Sequence, residues 1–233
     1  MLKRIWIIIL VGTFWFSVIE GYSQNQTDAN GLKQGKWTAQ YEEGQLRYEG
    51  QFKNDLPVGS FTYYHLNGKV KAKSNYSTDS KICRTITYTD AGFKLAEGKY
   101  IEQQRDSIWN FYDQDGNLIT IENYLNGKKQ GESKKFYNNG AVLEKNNWIA
   151  GERHGEWKQF YQDGTVKSEG VFVKGNLQGK ANFYYPNKSI HITGNYVDGY
   201  KDGIWSFMFE DGTLEKTVEY NLGIEIQDKK EKK

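Results

Sequence analysis

The stretch GEWKQFYQDGTVKSEGVFVKGNLQ (residues 155–178) decides the fold, because the same pattern begins again at Gly179. Stepping by 24 residues in both directions from Gly155 gives eight units without an insertion or a deletion. A fixed period of this length is typical of repeat proteins, in which neighbouring units cover one another. The units start at residues 35, 59, 83, 107, 131, 155, 179 and 203.

Three repeat positions fix the phase, each counted as the number of residues after the start of a unit. Position 9 is glycine in seven of the eight units, and position 11 is aliphatic in seven of the eight. Position 17 is aromatic in all eight units, which excludes chance as the origin of the period. Its members are Phe52, Tyr76, Tyr100, Tyr124, Trp148, Phe172, Tyr196 and Tyr220.

Each unit has the pattern of a β-hairpin. Five units carry Asn-Gly or Asp-Gly at positions 8 and 9, a dipeptide that favours a two-residue type I′ turn. A two-residue turn at Asp163-Gly164 would pair Phe160 with Lys167 and Trp157 with Gly170. Gly170 has no Cβ and would leave room for the indole ring opposite. Since side chains alternate along a strand, each hairpin has one strongly aromatic face.

The sequence therefore predicts an all-β fold over residues 31–223: an elongated array of eight 24-residue hairpins in a twisted meander or solenoid sheet. The unit that starts at Cys83 departs most from the pattern, so we expect an irregular seam within residues 77–98. The predicted repeat core comprises Trp37, Phe52, Tyr76, Tyr100, Trp109, Tyr124, Trp148, Trp157, Phe172, Tyr196, Trp205 and Tyr220.

Residues 1–23 have the pattern of a secretory signal peptide. Lys3 and Arg4 precede an apolar run over residues 5–19, and small residues suit a cleavage before Gln24. The alternative is an uncleaved membrane anchor, although the run is shorter than the roughly 20 residues that span a bilayer. We therefore expect export to the periplasm, the outer surface or the medium. Residues 24–30 are predicted to be a short linker, and 224–233 a disordered charged tail.

The residue types that commonly act in catalysis or bind metals indicate no catalytic, metal or cofactor site. The three histidines His65, His154 and His191 occupy different repeat positions, and Cys83 is the single cysteine. Frequent aspartates such as Asp163 are explained by the turns. A formal net charge of +2 does not indicate the strongly basic surface that is typical of nucleic-acid-binding proteins. We expect a protein that is not an enzyme and does not bind nucleic acid.

The repeat resembles the MORN repeat, in particular the bacterial variant of YwqK-type antitoxin proteins. The segments that carry the resemblance are GKWTAQYEEGQLRYEGQFKNDLPVG (35–59), GEWKQFYQDGTVKSEGVFVKGNLQG (155–179) and GIWSFMFEDGTLEKTVEYNLG (203–223). The resemblance covers about residues 31–223. It implies a scaffold or an association module for proteins or membranes, and for the bacterial members an antitoxin role.

A second aromatic row, at position 5, is the best candidate for a binding site. The predicted strand register places this row on the face opposite Trp157, where exposed rings would contact a protein partner or stack on sugars. The alternative is that the sheet curls and buries both rows. We expect a non-catalytic protein-binding or scaffold module of the bacterial cell envelope; the alternatives are an antitoxin or immunity-type partner and a glycan- or membrane-surface-binding module. The candidate residues are Tyr64, Tyr88, Tyr112, Phe136, Phe160 and Tyr184.

Overall fold

The protein is described by a computed structural model over residues 24–226. The regular elements of this range are twenty β-strands, which pair antiparallel with their sequence neighbours in one open sheet. The predicted all-β hairpin array is therefore confirmed. No helix in this range is long and apolar enough to cross a membrane. The predicted signal peptide, residues 1–23, and residues 227–233 lie outside the described range.

The strands follow the repeat, with two long strands in each unit. The first ten are β1 (Gln26–Thr27), β2 (Lys33–Gln40), β3 (Leu46–Lys53), β4 (Leu56–Tyr64), β5 (Val70–Tyr76), β6 (Ile82–Tyr88), β7 (Lys94–Ile101), β8 (Gln104–Tyr112), β9 (Leu118–Leu125) and β10 (Lys128–Lys129). The others are β11 (Gly131–Phe136), β12 (Val142–Ile149), β13 (Glu152–Phe160), β14 (Val166–Val173), β15 (Asn176–Leu177), β16 (Gly179–Tyr184), β17 (Ile190–Val197), β18 (Tyr200–Met208), β19 (Leu214–Asn221) and β20 (Ile224–Glu225).

The turns within the units are not the predicted two-residue type. In the unit 155–178, the Gly164 amide donates to the Tyr161 carbonyl, and the Tyr161 amide donates to the Thr165 carbonyl. Gly164 has a φ of 85°, whereas Asp163 is not in the positive-φ region that a type I′ turn requires. The loop is therefore a type I turn followed by a glycine bulge, a geometry that Asp-Gly also favours.

The glycine bulge changes the predicted register at the end of each hairpin. Phe160 pairs with Val166, so the predicted pairing of Phe160 with Lys167 is wrong. The register shifts by one residue at this point, and the predicted pairing of Trp157 with Gly170 is correct further along the same strands. The bulge leaves the aromatic face continuous.

Type I′ turns occur between the units instead. Lys174 and Gly175 have φ values of 48° and 88°, and the residues on either side of them, Val173 and Asn176, pair directly. Two consecutive positive φ values recur at most of the other junctions. These junctions are Asn54-Asp55, Glu102-Gln103, Asn126-Gly127, Ala150-Gly151, Asp198-Gly199 and Leu222-Gly223.

The unit that starts at Cys83 is irregular at its junction. The other seven start residues, six glycines and Ser107, have positive φ, but Cys83 does not. Tyr76 pairs with Cys83 seven residues later, whereas the corresponding Phe172 pairs with Leu177 five residues later. The junction is thus a longer loop, and β5 and β6 pair without a shift of register. It lies within the predicted irregular seam. Strands β5 and β6 remain paired, so the sheet is continuous here.

Three of the core rings each cover a glycine of the preceding unit. Trp109 lies against Gly98, where an ideal Cβ would fall 2.3 Å from the indole ring. Phe61 covers Gly50, and Trp205 covers Gly194 in the same way. At Gly170 the predicted neighbour is present, since the Trp157 ring of the same hairpin lies 3.6 Å from an ideal Cβ; at Gly50, Gly98 and Gly194 the covering ring comes instead from the next unit.

The twelve predicted core residues all lie at least half-buried. Trp205 and Trp109 are 0% and 1% exposed, and Trp157 and Phe172 are also buried. The position 17 rings pack edge-on against these indoles, with centroid distances of 4.9 Å for Tyr100 to Trp109 and 5.0 Å for Tyr196 to Trp205. Edge-to-face packing adds to the free energy gained by burying the rings.

Both ends of the sheet extend beyond the predicted boundaries. In the predicted linker, Gln26–Thr27 form β1 and pair with β2. The chain turns between them because the Asp28 carboxylate accepts hydrogen bonds from the backbone amides of Asn30 and Leu32. At the other end, Ile224–Glu225 form β20 and pair with β19. Residues 224–225 therefore belong to the sheet and not to the predicted disordered tail.

Replacing Gly98 by alanine should destabilise the array, because the new methyl group and the Trp109 ring compete for the same space. We expect a loss of about 1–3 kcal/mol, typical of overpacking. The matched control is Gly170→Ala at the same repeat position, where the nearest atom to an ideal Cβ is 3.3 Å away. Urea unfolding followed by tryptophan fluorescence measures both; equal losses in the two variants would contradict the assignment.

Candidate functional site

The single sheet has two different faces. The tryptophan face carries the core rings, and the opposite face carries the position 5 residues Tyr64, Tyr88, Tyr112, Phe136, Phe160 and Tyr184, here called the tyrosine row. Tyr64 directly follows Tyr63, whose ring packs 5.9 Å from that of Phe61 on the tryptophan face. Because side chains alternate, the next residue points to the other side. All six members of the row are half-buried.

Carboxylates of the preceding unit fix three tyrosines of the row. The Tyr184 hydroxyl donates to Glu169 at 2.6 Å. Tyr64 donates to Glu49, and Tyr112 donates to Glu97. The three glutamates share repeat position 14. These bonds hold the rings in one orientation and join adjacent hairpins.

The position 14 residue of the unit before Phe160 is not a carboxylate. Phe160 has no hydroxyl, and position 14 of the preceding unit is Lys145, whose ammonium group lies 5.8 Å from the Phe160 ring centroid. Lys94 is 4.1 Å from the Tyr112 ring centroid and 2.9 Å from Glu97. The face therefore presents rings that are surrounded by charges of both signs.

The hydrogen bonds of the row shift the pKa values of their partners. The Tyr112 hydroxyl, followed by Lys94, lowers the pKa of Glu97, and the Tyr184 hydroxyl does the same for Glu169. Burial and then the Glu97 carboxylate raise the pKa of Tyr112. At neutral pH the carboxylates are charged and the phenols are protonated donors.

A second set of tyrosines, at position 6, bonds the backbone of the row. The Tyr161 hydroxyl donates to the carbonyl oxygen of Tyr184 at 2.7 Å, and Tyr137 donates to that of Phe160 at 2.8 Å. Each bond connects a hairpin tip to the next unit. We did not predict these contacts from the sequence, although the paired aromatics at positions 5 and 6 were visible there.

The row is long and regular. Its members stand on every second long strand, and neighbouring strands are about 4.8 Å apart, so successive members are separated by about 10 Å. The six residues therefore extend over about 50 Å across the strands. A surface of this length suits a macromolecular ligand better than a small molecule.

The remaining sequence candidates do not form a chemical site. His65 bonds the Tyr88 carbonyl at 3.0 Å, and His191 stacks on Tyr185 at 4.3 Å. Within residues 24–226 no three His, Cys, Asp or Glu side chains are grouped to hold a metal ion. Cys83 is 7% exposed, and burial raises the pKa of its thiol, which disfavours the reactive thiolate.

A family model described as "MORN repeat variant" matches six segments of 22 residues each, together more than half of the chain. The chain belongs to this family. The two units without a match are the one that starts at Cys83, whose start residue lacks the positive φ of the others, and the last one. The matched segments are residues 33–54, 57–78, 105–126, 129–150, 153–174 and 177–198.

Other comparisons with known proteins add no functional information. No curated protein matches this MORN repeat chain. Part of it is similar to TarM, whose crystal structure is known, with 15% sequence identity and a TM-score of 0.32. The similarity covers 50% of this chain and 20% of TarM. At this score it carries no argument about activity.

Acid should weaken the tyrosine–glutamate pairs. The folded state lowers the pKa of Glu97 and Glu169 below the usual value of 4.5, so their stabilisation is present above about pH 4.5 and is lost as the pH falls through the folded values. We expect the thermal midpoint to fall in this range, and Glu97→Gln with Glu169→Gln to reduce the fall. Glu156→Gln with Glu219→Gln, two exposed sites, is the matched control. An unchanged pH profile in the first variant would contradict the role of the pairs.

Proposed function

We propose that this MORN repeat chain is a non-catalytic, exported binding protein of the bacterial cell envelope, which binds another protein along the tyrosine row. The observation that supports this most is the row itself: six half-buried rings on one face, at regular spacing, with charges of both signs between them. Tyrosine combines a large contact area with few rotatable bonds and is enriched at protein interfaces.

The fixed orientation of the rings supports binding. The hydroxyl bonds to Glu49, Glu97 and Glu169 order three of the side chains before any partner arrives. A pre-ordered surface loses less conformational entropy on association. Export is supported by the signal-peptide pattern of residues 1–23 and determines where the partner would be found.

Pull-down from envelope extracts with the chain 24–233 tests this function. We expect Tyr112→Ala with Phe160→Ala to lose the retained protein, because both changes remove contact area from the centre of the row. Tyr112→Phe should keep it, because the ring remains. The matched control is Phe93→Ala with Tyr200→Ala, which removes one phenylalanine and one tyrosine that are 46% and 59% exposed elsewhere.

Three results would overturn the proposal: no retained protein, equal loss in the control, or retention by the double row variant. Two further assays separate the alternatives. An antitoxin or immunity protein would restore growth when it is co-expressed with the toxin of a neighbouring gene. Retention on peptidoglycan, polysaccharide or lipid vesicles, abolished by the row variant, would instead indicate a glycan- or membrane-surface-binding module.

A further inference from the structure

A concave groove of about 890 Å³ lies on the tryptophan face, across the first four units. Its volume falls in the range of small-molecule sites, which are about 300–1,000 Å³. Rings form two opposite walls, Tyr48 and Tyr63 on one side and Trp109 and Phe111 on the other. The ring centroids are 6.1 Å apart in the first pair and 6.3 Å in the second.

Small residues between these walls create the groove. Thr87 occupies repeat position 4, where the flanking units carry Tyr63 and Phe111. Ala72 and Ala96 occupy position 13, where the first unit carries Tyr48. The floor is therefore lower than the walls by the size of an aromatic ring.

The groove is lined by cations and by no acidic residue. Arg47 and Lys71 are exposed at one end, and the Arg105 guanidinium lies 4.6 Å from the Trp109 ring centroid at the other wall. Within residues 24–226 no carboxylate lies within 4.0 Å of these three cationic groups. Other cations of this face do have a carboxylate partner, as Lys135 has in Glu144 at 3.2 Å. The groove is thus complementary to a negative charge.

Three hydroxyl groups of the groove already have hydrogen-bond partners. Tyr63 bonds Tyr76 at 3.0 Å, and Thr87 donates to the Ala96 carbonyl at 3.3 Å. The Tyr41 hydroxyl donates to the Tyr64 carbonyl at 2.7 Å. A sugar needs many free donors and acceptors, so this lining favours an apolar body over a glycan.

We propose that the groove binds a small monoanion with a flat apolar body, an aromatic carboxylate. The rings of Tyr48, Tyr63 and Trp109 contact the body, and the carboxylate lies at the cationic end. Arg47 is on β3 and Lys71 on β5, so their backbones are about 10 Å apart and both long side chains reach one anion. Tyr64 and Tyr88 of the tyrosine row also line the groove, but Tyr112 and Phe160, whose substitution tests the protein partner, do not, so the two proposals are tested separately.

Saturation-transfer NMR with 1-naphthylacetate and with 1-naphthylacetamide tests the proposal on the chain 24–233. The two probes have the same ring, but only the first is charged. We expect naphthylacetate to bind about tenfold more tightly, the effect of one charge-assisted contact. Arg47→Gln with Lys71→Gln should remove most of this preference. Lys36→Gln with Lys53→Gln changes the net charge equally at exposed positions outside the groove and should preserve it.

A second variant tests the shape of the site. Ala72→Tyr introduces the residue that position 13 carries in the first unit, so the fold has a place for it. The ring would fill the floor, and we expect both probes to lose binding while the unfolding midpoint is maintained. The proposal is overturned if naphthylacetate does not bind, if the amide binds equally, if the Lys36/Lys53 control loses the same preference, or if folded Ala72→Tyr binds as the wild type does.

Discussion

The contact of an aromatic ring with a glycine of the preceding unit, made at three of the seven contacts between units, is the interaction around which the tryptophan face is packed. A hairpin by itself is marginally stable, so the free energy of folding must come from contacts between units. Gly98 lets the Trp109 indole lie directly on the β7 backbone, and the ring becomes one of the most buried side chains of the protein. The same contact at Gly50 and Gly194 links the beginning and the end of the sheet to their neighbours.

This contact assigns different roles to the two faces. The tryptophan face buries the rings that hold the units together, so its free surface is limited to places where those rings are missing, such as the floor at Ala72 and Ala96. The opposite face does not supply the main core. Its tyrosines are half-buried, and three of them are bonded to carboxylates of adjacent units, which holds their rings in a fixed orientation.

Much of the fold could be predicted from the sequence, because the period, the glycines and the alternation are local patterns. The pairing of Trp157 with Gly170 followed from them and is correct. The turn type was wrong because Asp-Gly suits both a type I′ turn and a type I turn with a glycine bulge, and the dipeptide alone does not distinguish the two. The wrong pairing of Phe160 with Lys167 follows from that ambiguity.

The contacts between units could not be derived in the same way, since they join strands of different hairpins. A signal was nevertheless present in the sequence. A glycine at position 15 is followed eleven residues later by a large aromatic residue, as Gly50 is by Phe61 and Gly98 is by Trp109. The groove gave no such signal. Ala72, Thr87 and Ala96 are ordinary small residues until the sheet places them between two aromatic walls.

A double-mutant cycle on Gly98→Ala and Trp109→Leu tests most directly whether the ring of one unit rests on the glycine of the unit before it. If it does, the smaller side chain relieves the clash. The two changes together then destabilise the protein by about 0.5–3 kcal/mol less than the sum of the single changes. Additivity within about 0.5 kcal/mol would show that the two residues do not share this contact, and would contradict the account.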